Sequence, residues 1–252
     1  MAAGLFFGKD ETMAWFVVAL GATVAGAVQR ITGFGAVVVL MSVLPYYFGI
    51  VDSPTLALSI NILYTVALLW KFRKYVDLKL AALPTAIYSV LAAVMVRLIG
   101  DIEVRTLAIA LAVLLMALSV YFLAFARRIK VRGSMALGVA CSSVAGVTGG
   151  LFGVGGPPMV LYFLAAAKDR DTYMGCLQFL FVVTGIVSLG TRVGSGMFRA
   201  ELLPYVAVGI AGTMVGMWLG ERICRRLNAD AMRVATYIFV GVSGLILLLQ
   251  QL

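Results

Sequence analysis

One eleven-residue segment of this chain has a diverged second copy. Ala25-Gly26-Ala27-Val28-Gln29-Arg30-Ile31-Thr32-Gly33-Phe34-Gly35 returns 120 positions later as Ala145-Gly146-Val147-Thr148-Gly149-Gly150-Leu151-Phe152-Gly153-Val154-Gly155, with Ala25, Gly26, Gly33 and Gly35 repeated in kind. At the same spacing Leu83-Pro84 is echoed by Leu203-Pro204, and Gly100 by Gly220. The spacing predicts that a whole half was copied rather than a short motif. A duplicated apolar segment interrupted by glycine is the pattern of a membrane fold built from repeats around a central site.

Composition names the solvent. Hydrophobic residues make up 63% of the 252 and charged residues 12%, a balance foreign to water-soluble domains of this size. A helix crosses a bilayer in roughly 20 apolar residues. Apolar runs lie near 13–29, 36–50, 54–70, 80–99, 104–125, 134–150, 157–167, 172–192, 203–220 and 231–250. The expected fold is an all-α integral membrane protein of two inverted-topology repeats, about five helical segments each. Residues 1–126 form the first transmembrane repeat, 127–133 a basic linker and 134–252 the second repeat. The short runs 36–50 and 157–167 adjoin the glycine clusters, so each is expected to be half of a broken or re-entrant helix. Either version leaves five or three full crossings per half, and an odd count inverts the second copy. The stretch Met13–Val28 lacks a basic leader and is expected to be a retained helix, not a cleaved signal.

Basic residues orient the chain. Arg30, Lys71, Arg73, Lys74, Lys79, the linker residues Arg127, Arg128, Lys130 and Arg132, then Lys168, Arg170, Arg222, Arg225, Arg226 and Arg233 fall on one face. Lys9, Arg97, Arg105, Arg192 and Arg199 fall on the other. By the positive-inside bias both termini face out and the linker is cytoplasmic, in a bacterial-type plasma (inner) membrane. The net charge of +9 then reflects anchoring to anionic headgroups, not nucleic acid.

Glycine is unfavourable inside a helix unless the chain breaks there, and an opened backbone in hydrocarbon must face protein or a wet cavity. Gly149-Gly150, Gly153 and Gly155-Gly156 mark such a break, and Pro157-Pro158 suit the first turn of a new helix. Its free amides and positive dipole end offer an anion site, and Gly33, Phe34 and Gly35 offer the same in the first half. Close helix packing by small residues is the competing reading. Arg30, beside the first break, either holds an oxyanion through its planar fork or snorkels to headgroups. Gly150 takes its place in the second copy. Asn61 and Gln178, each inside an apolar helix, correspond if three residues are deleted from the second copy. They line a polar cavity or join helices. The candidate substrate-binding residues are therefore Gln29, Arg30, Thr32, Gly33, Phe34, Gly35 and Asn61, with Thr148, Gly149, Gly150, Gly153, Gly155, Gly156 and Gln178.

Gly146-Val147-Thr148-Gly149-Gly150-Leu151-Phe152-Gly153-Val154-Gly155-Gly156-Pro157-Pro158-Met159 and Gln29-Arg30-Ile31-Thr32-Gly33-Phe34-Gly35 resemble the paired glycine motifs of the sulfite exporter TauE/SafE family, also called the toluene sulfonate uptake permease family. The resemblance spans essentially the whole chain. The first motif departs from the glycine-rich pattern with Ala36-Val37 after Gly35. Membership implies transport, by uptake or by export, of sulfite, organosulfonates or related small oxyanions around a central site; an inside-negative potential turns the expectation toward export of a monoanion. An anion channel or a carboxylate-type uptake permease is the alternative.

There is no histidine, and all eleven carboxylates, among them Asp52 and Asp169, map to loops or helix ends. Proton relays use intramembrane acids or histidine, so the anion is expected to run down its own gradient or to carry its own proton. Cys141, Cys176 and Cys224 lack metal-ligand spacing and read as small buried hydrophobes. The glycine runs lack the Lys-Ser/Thr of a phosphate loop, and a membrane enzyme would need convergent acids, bases or metal ligands. No cofactor is implied. The expected partners are a small anionic substrate, the lipid bilayer and, as candidate assembly, a homodimer.

Overall fold

Apolar runs without strand alternation form helices throughout the computed structural model, which describes residues 11–125, 133–224 and 229–251. Residues 127–132 of the expected linker 127–133, Arg225 and Arg226, and the first ten residues lie outside the described residues. The helices are α1 (Glu11–Thr32), α2 (Ala36–Met41), α3 (Pro45–Phe72), α4 (Leu78–Leu98), α5 (Val104–Val120), α6 (Met135–Phe152), α7 (Gly156–Ala166), α8 (Arg170–Gly194), α9 (Leu203–Cys224) and α10 (Ala229–Leu249). Among the described residues, seven helices are long and apolar enough to cross a membrane.

Nine of the ten apolar runs become the helices expected of them; 36–50 does not. It breaks after Met41 into a turn, and Gly49, at φ 71° and ψ 168°, turns the chain before α3 proper begins at Ile50. Only glycine adopts that backbone freely. The echoed positions outside the glycine motifs differ in local setting. Pro84 lies inside α4 whereas Pro204 lies at the start of α9, and Gly100 sits in a turn whereas Gly220 packs on Ala27 within α9.

Each half opens with a hairpin whose tip is the glycine break. Trp15 stacks on Tyr205 with 4.1 Å between ring centroids, and Phe48 meets the same ring edge-on at 4.9 Å, so the chain before and after the first tip lies side by side. In the second half Gly133 abuts Ala165 and Ala166, and Gly138 abuts Tyr162. From the mouth of the first hairpin α3 runs away to Phe72, whose carbonyl touches Gly175 near the start of α8. Helix α8 returns until Arg192, in its last turn, reaches the Val51 carbonyl. The two long helices are antiparallel, and the hairpin mouths open at opposite ends of the pair.

The most extensive helix contacts are α1 with α9, α4 with α6 and α5 with α10. The first two depend on small residues. A Cβ on Gly216 would strike the Thr23 backbone, one on Gly212 the Ala19 carbonyl, and one on Gly26 the Thr213 carbonyl. Gly146 and Gly150 of α6 similarly admit the α4 backbone at Tyr88 and Ala92. These two glycines of the repeated motif serve close packing. Outward faces carry apolar side chains such as Phe16, Leu20 and Val24, one turn apart on α1. At one end of the molecule, Arg73 covers the Trp70 ring at 3.9 Å and Arg222 covers Trp218 at 3.7 Å, the amphipathic pairing of a membrane interface.

Candidate functional site

Both breaks are made by one device at one spacing. Gly33, at φ 81°, donates its N–H to the Gln29 carbonyl at 2.8 Å, and Gly153, at φ 72°, donates to the Gly149 carbonyl at 2.8 Å. A left-handed residue after the last turn closes a helix by satisfying one orphan carbonyl. The chain then restarts at Ala36 and at Gly156. In α7 Pro157 and Pro158 carry no N–H, which leaves the Gly156 and Met159 amides as the donors of the first turn.

Between the two tips lies a cavity of about 50 Å³, where one water needs roughly 10–15 Å³. It is lined by Gln29, Phe34 and Gly35 from the first tip and by Gly149, Gly153 and Gly156 from the second. Asn61, Tyr88, Phe181, Thr184 and Ser188 close its sides. Asn61 is midway between Ile50 and Phe72, Tyr88 midway along α4 and Thr184 near the middle of α8, so the cavity sits at mid-height. Among the described residues none that lines it is charged.

Polar groups here are conspicuously idle. Gln29 is 1% exposed, yet among the described residues neither its Nε2 nor its Oε1 has a hydrogen-bond partner, and the buried Asn61 Oδ1 has none either. A buried polar atom left unpaired costs about 1–3 kcal/mol, a cost that a polar occupant of the cavity would remove. The Tyr88 hydroxyl enters the cleft between Gly149 and Gly155, and a Cβ on either glycine would collide with it. Those two glycines are required by that approach.

Of the expected site residues, Gln29, Phe34, Gly35, Asn61, Gly149, Gly153 and Gly156 come together at the cavity. Thr32 closes α1, with only its backbone described. Arg30 is turned away, exposed and ion-paired with Glu221 at 3.2 Å. The Thr148 hydroxyl bonds back to the Val144 carbonyl of its own helix. Gly33 faces Met174, Gly150 packs on α4, and Gly155 sits under Tyr88. Gln178 is fully buried but donates from Nε2 to the Gly33 carbonyl at 3.0 Å. It is not the counterpart of Asn61: against Gly153 the place of Gln178 is taken by Leu58, which keeps the 120-residue spacing and needs no deletion.

Sequence reasoning missed Tyr88, Thr184, Ser188 and Arg192. Three of them form a visible stripe, since Thr184, Ser188 and Arg192 recur every fourth residue of α8 and are 3%, 3% and 0% exposed. Arg192, counted from sequence only as a basic residue of the outer side, stands in the last turn of α8. It lies inside the protein, one turn beyond Ser188.

Spans long enough to cross a bilayer, folded around a mid-height cavity lined by apolar residues and a few amides and hydroxyls, define a multi-pass integral membrane protein. The family model described as sulfite exporter TauE/SafE matches residues 18–247. The chain belongs to that family, and is accordingly a membrane transporter and not an enzyme. No curated protein and no solved structure gives a significant match.

Proposed function

We propose that the protein exports sulfite, an organosulfonate or a related small sulfur oxyanion, by alternating access around the cavity between the two hairpin tips. The single observation that carries this reading is the Gln29 side chain, buried in the cavity wall with donor and acceptor both unpartnered. An oxyanion needs donors, and Gln29 Nε2, the Asn61 amide and the Gly156 N–H at the start of α7 supply them. A small uncharged cavity fits a compact anion held by dipoles, which is bound firmly enough to enter and weakly enough to leave.

Inverted repeats supply the motion. Hairpins that open toward opposite ends of the α3–α8 pair support a reading in which each tip seals one side of the cavity, so that rocking of the halves exposes it alternately. Among the described residues no carboxylate lines the cavity, in keeping with an anion that runs down its gradient or carries its own proton. An inside-negative potential favours outward passage of a monoanion by about 2.3 kcal/mol per 100 mV.

Purified protein in liposomes, offered sulfite, sulfate, sulfoacetate, taurine and lactate with and without a pH gradient, tests the reading. Saturable sulfite flux, competed by sulfonates and weakened about tenfold or more in KM by Asn61→Leu, a loss of roughly 1.4 kcal/mol, is the expected result. Flux of lactate alone, or of none of the sulfur oxyanions, overturns it.

A further inference from the structure

Arg192 is fully buried, and among the described residues its guanidinium donates to backbone carbonyls. Its Nη2 donates to Gly150 at 2.7 Å and to Leu151 at 3.1 Å, and its Nη1 reaches Val51 at 3.3 Å. Gly150 and Leu151 stand in the last turn of α6, where carbonyls have no partner further along the helix. This turn adjoins the cavity through Gly149 and Gly153. A helix C-terminus carries about half a negative charge, so an uncapped α6 would repel the anion that the α7 amides attract.

We infer that Arg192 is a positioning residue for transport: its guanidinium covers the negative end of α6 and so reverses the sign of the wall that meets the anion. The inference rests on the oxyanion reading above. Ser188, which lines the cavity, lies one turn before Arg192 on the same face of α8, which sets the cation directly behind the wall. The charged groups around Arg192 are Asp52, which pairs with Arg199 at 3.7 Å, and beyond them Glu201. The first half meets the same problem differently, with Arg30 in the last turn of α1 and balanced by Glu221. A mere tie between α3, α6 and α8 would make the bonding geometry matter; an electrostatic role makes the charge matter.

Sulfite and methanesulfonate uptake into proteoliposomes separates these, using Arg192→Lys, Arg192→Gln and Arg192→His, with thermal unfolding recorded for each. The lysine variant is expected to hold KM within about threefold of the parent, and the glutamine variant to raise it about tenfold or more while the maximal rate falls less. The histidine variant is expected to bind methanesulfonate well near about pH 5.5 and poorly near about pH 8.5, because imidazole loses its charge between them. Methanesulfonate stays ionised across that range, so the change reports the protein. Equal KM for the lysine and glutamine variants, or a KM of the histidine variant that follows pH no more than the parent's, overturns the inference. If Arg192→Gln does not fold, the histidine variant decides alone. Parent protein that carries neither anion overturns the functional reading first, and this inference with it.

Discussion

Gln178 Nε2 donates a 3.0 Å hydrogen bond to the carbonyl of Gly33, so a helix of the second half holds open the break of the first. The carbonyl belongs to the left-handed residue that ends α1 and has no helical partner of its own. Gln178→Ala leaves it buried and unpaired and is expected to lower stability by about 1–3 kcal/mol. Thermal unfolding in detergent measures this, and a melting temperature equal to the parent's would remove the bond from the account.

The α1–α9 contact depends on backbone touching backbone. A methyl group on Gly216 has no room beside Thr23, and the helices must separate to admit it. Gly216→Ala is expected to lose about 1–3 kcal/mol from overpacking, whereas Gly190→Ala, which meets open space, is expected to be neutral or mildly stabilising. The paired melts test the packing argument, and equal effects would refute it.

Arg30 is the site residue that sequence left open between two readings, and its side chain is exposed and paired away from the cavity. Its partner Glu221 is 53% exposed and its own side chain 35%, the regime in which an ion pair contributes no more than about 1 kcal/mol. Arg30→Ala is expected to leave sulfite KM unchanged in the liposome assay. A large rise in KM would return Arg30 to the binding site.

Asp169 begins α8 by accepting the Thr172 N–H at 2.8 Å. That bond, helped by the Thr172 hydroxyl and Lys168, holds its carboxyl below the ordinary value of 3.8. The folded protein therefore favours the anion, so the contribution is complete above pH 3.8 and lost as pH falls through the lowered value. Asp169→Ala is expected to flatten the acid limb of the stability curve while the response of sulfite flux to a pH gradient stays that of the parent. Loss of that response would make Asp169 a proton carrier.

Much of this was legible because hydrocarbon imposes long apolar runs, and glycine followed by proline can hardly be placed except where a helix ends and another begins. The breaks at Gly33 and Gly153 and the start of α7 at Gly156 follow from those rules. What escaped was whatever depends on partners distant in the chain. Arg192 reads as one more basic residue of the outer side when charge alone is counted, because the carbonyls that satisfy it come from Val51, Gly150 and Leu151. The run 36–50 reads as one segment because hydropathy does not register the positive φ of Gly49. Asn61 and Gln178 look alike in composition, yet one faces the cavity and the other a neighbouring backbone.

The most direct measurement is a crystal structure with selenite, the heavier analogue of sulfite, located by its anomalous signal. The account expects one peak between the hairpin tips, within hydrogen-bond reach (about 3.2 Å) of the Gln29 amide and close to Asn61 and Gly156. A peak only at surface arginines such as Arg30, or an empty cavity at saturating selenite, would contradict it.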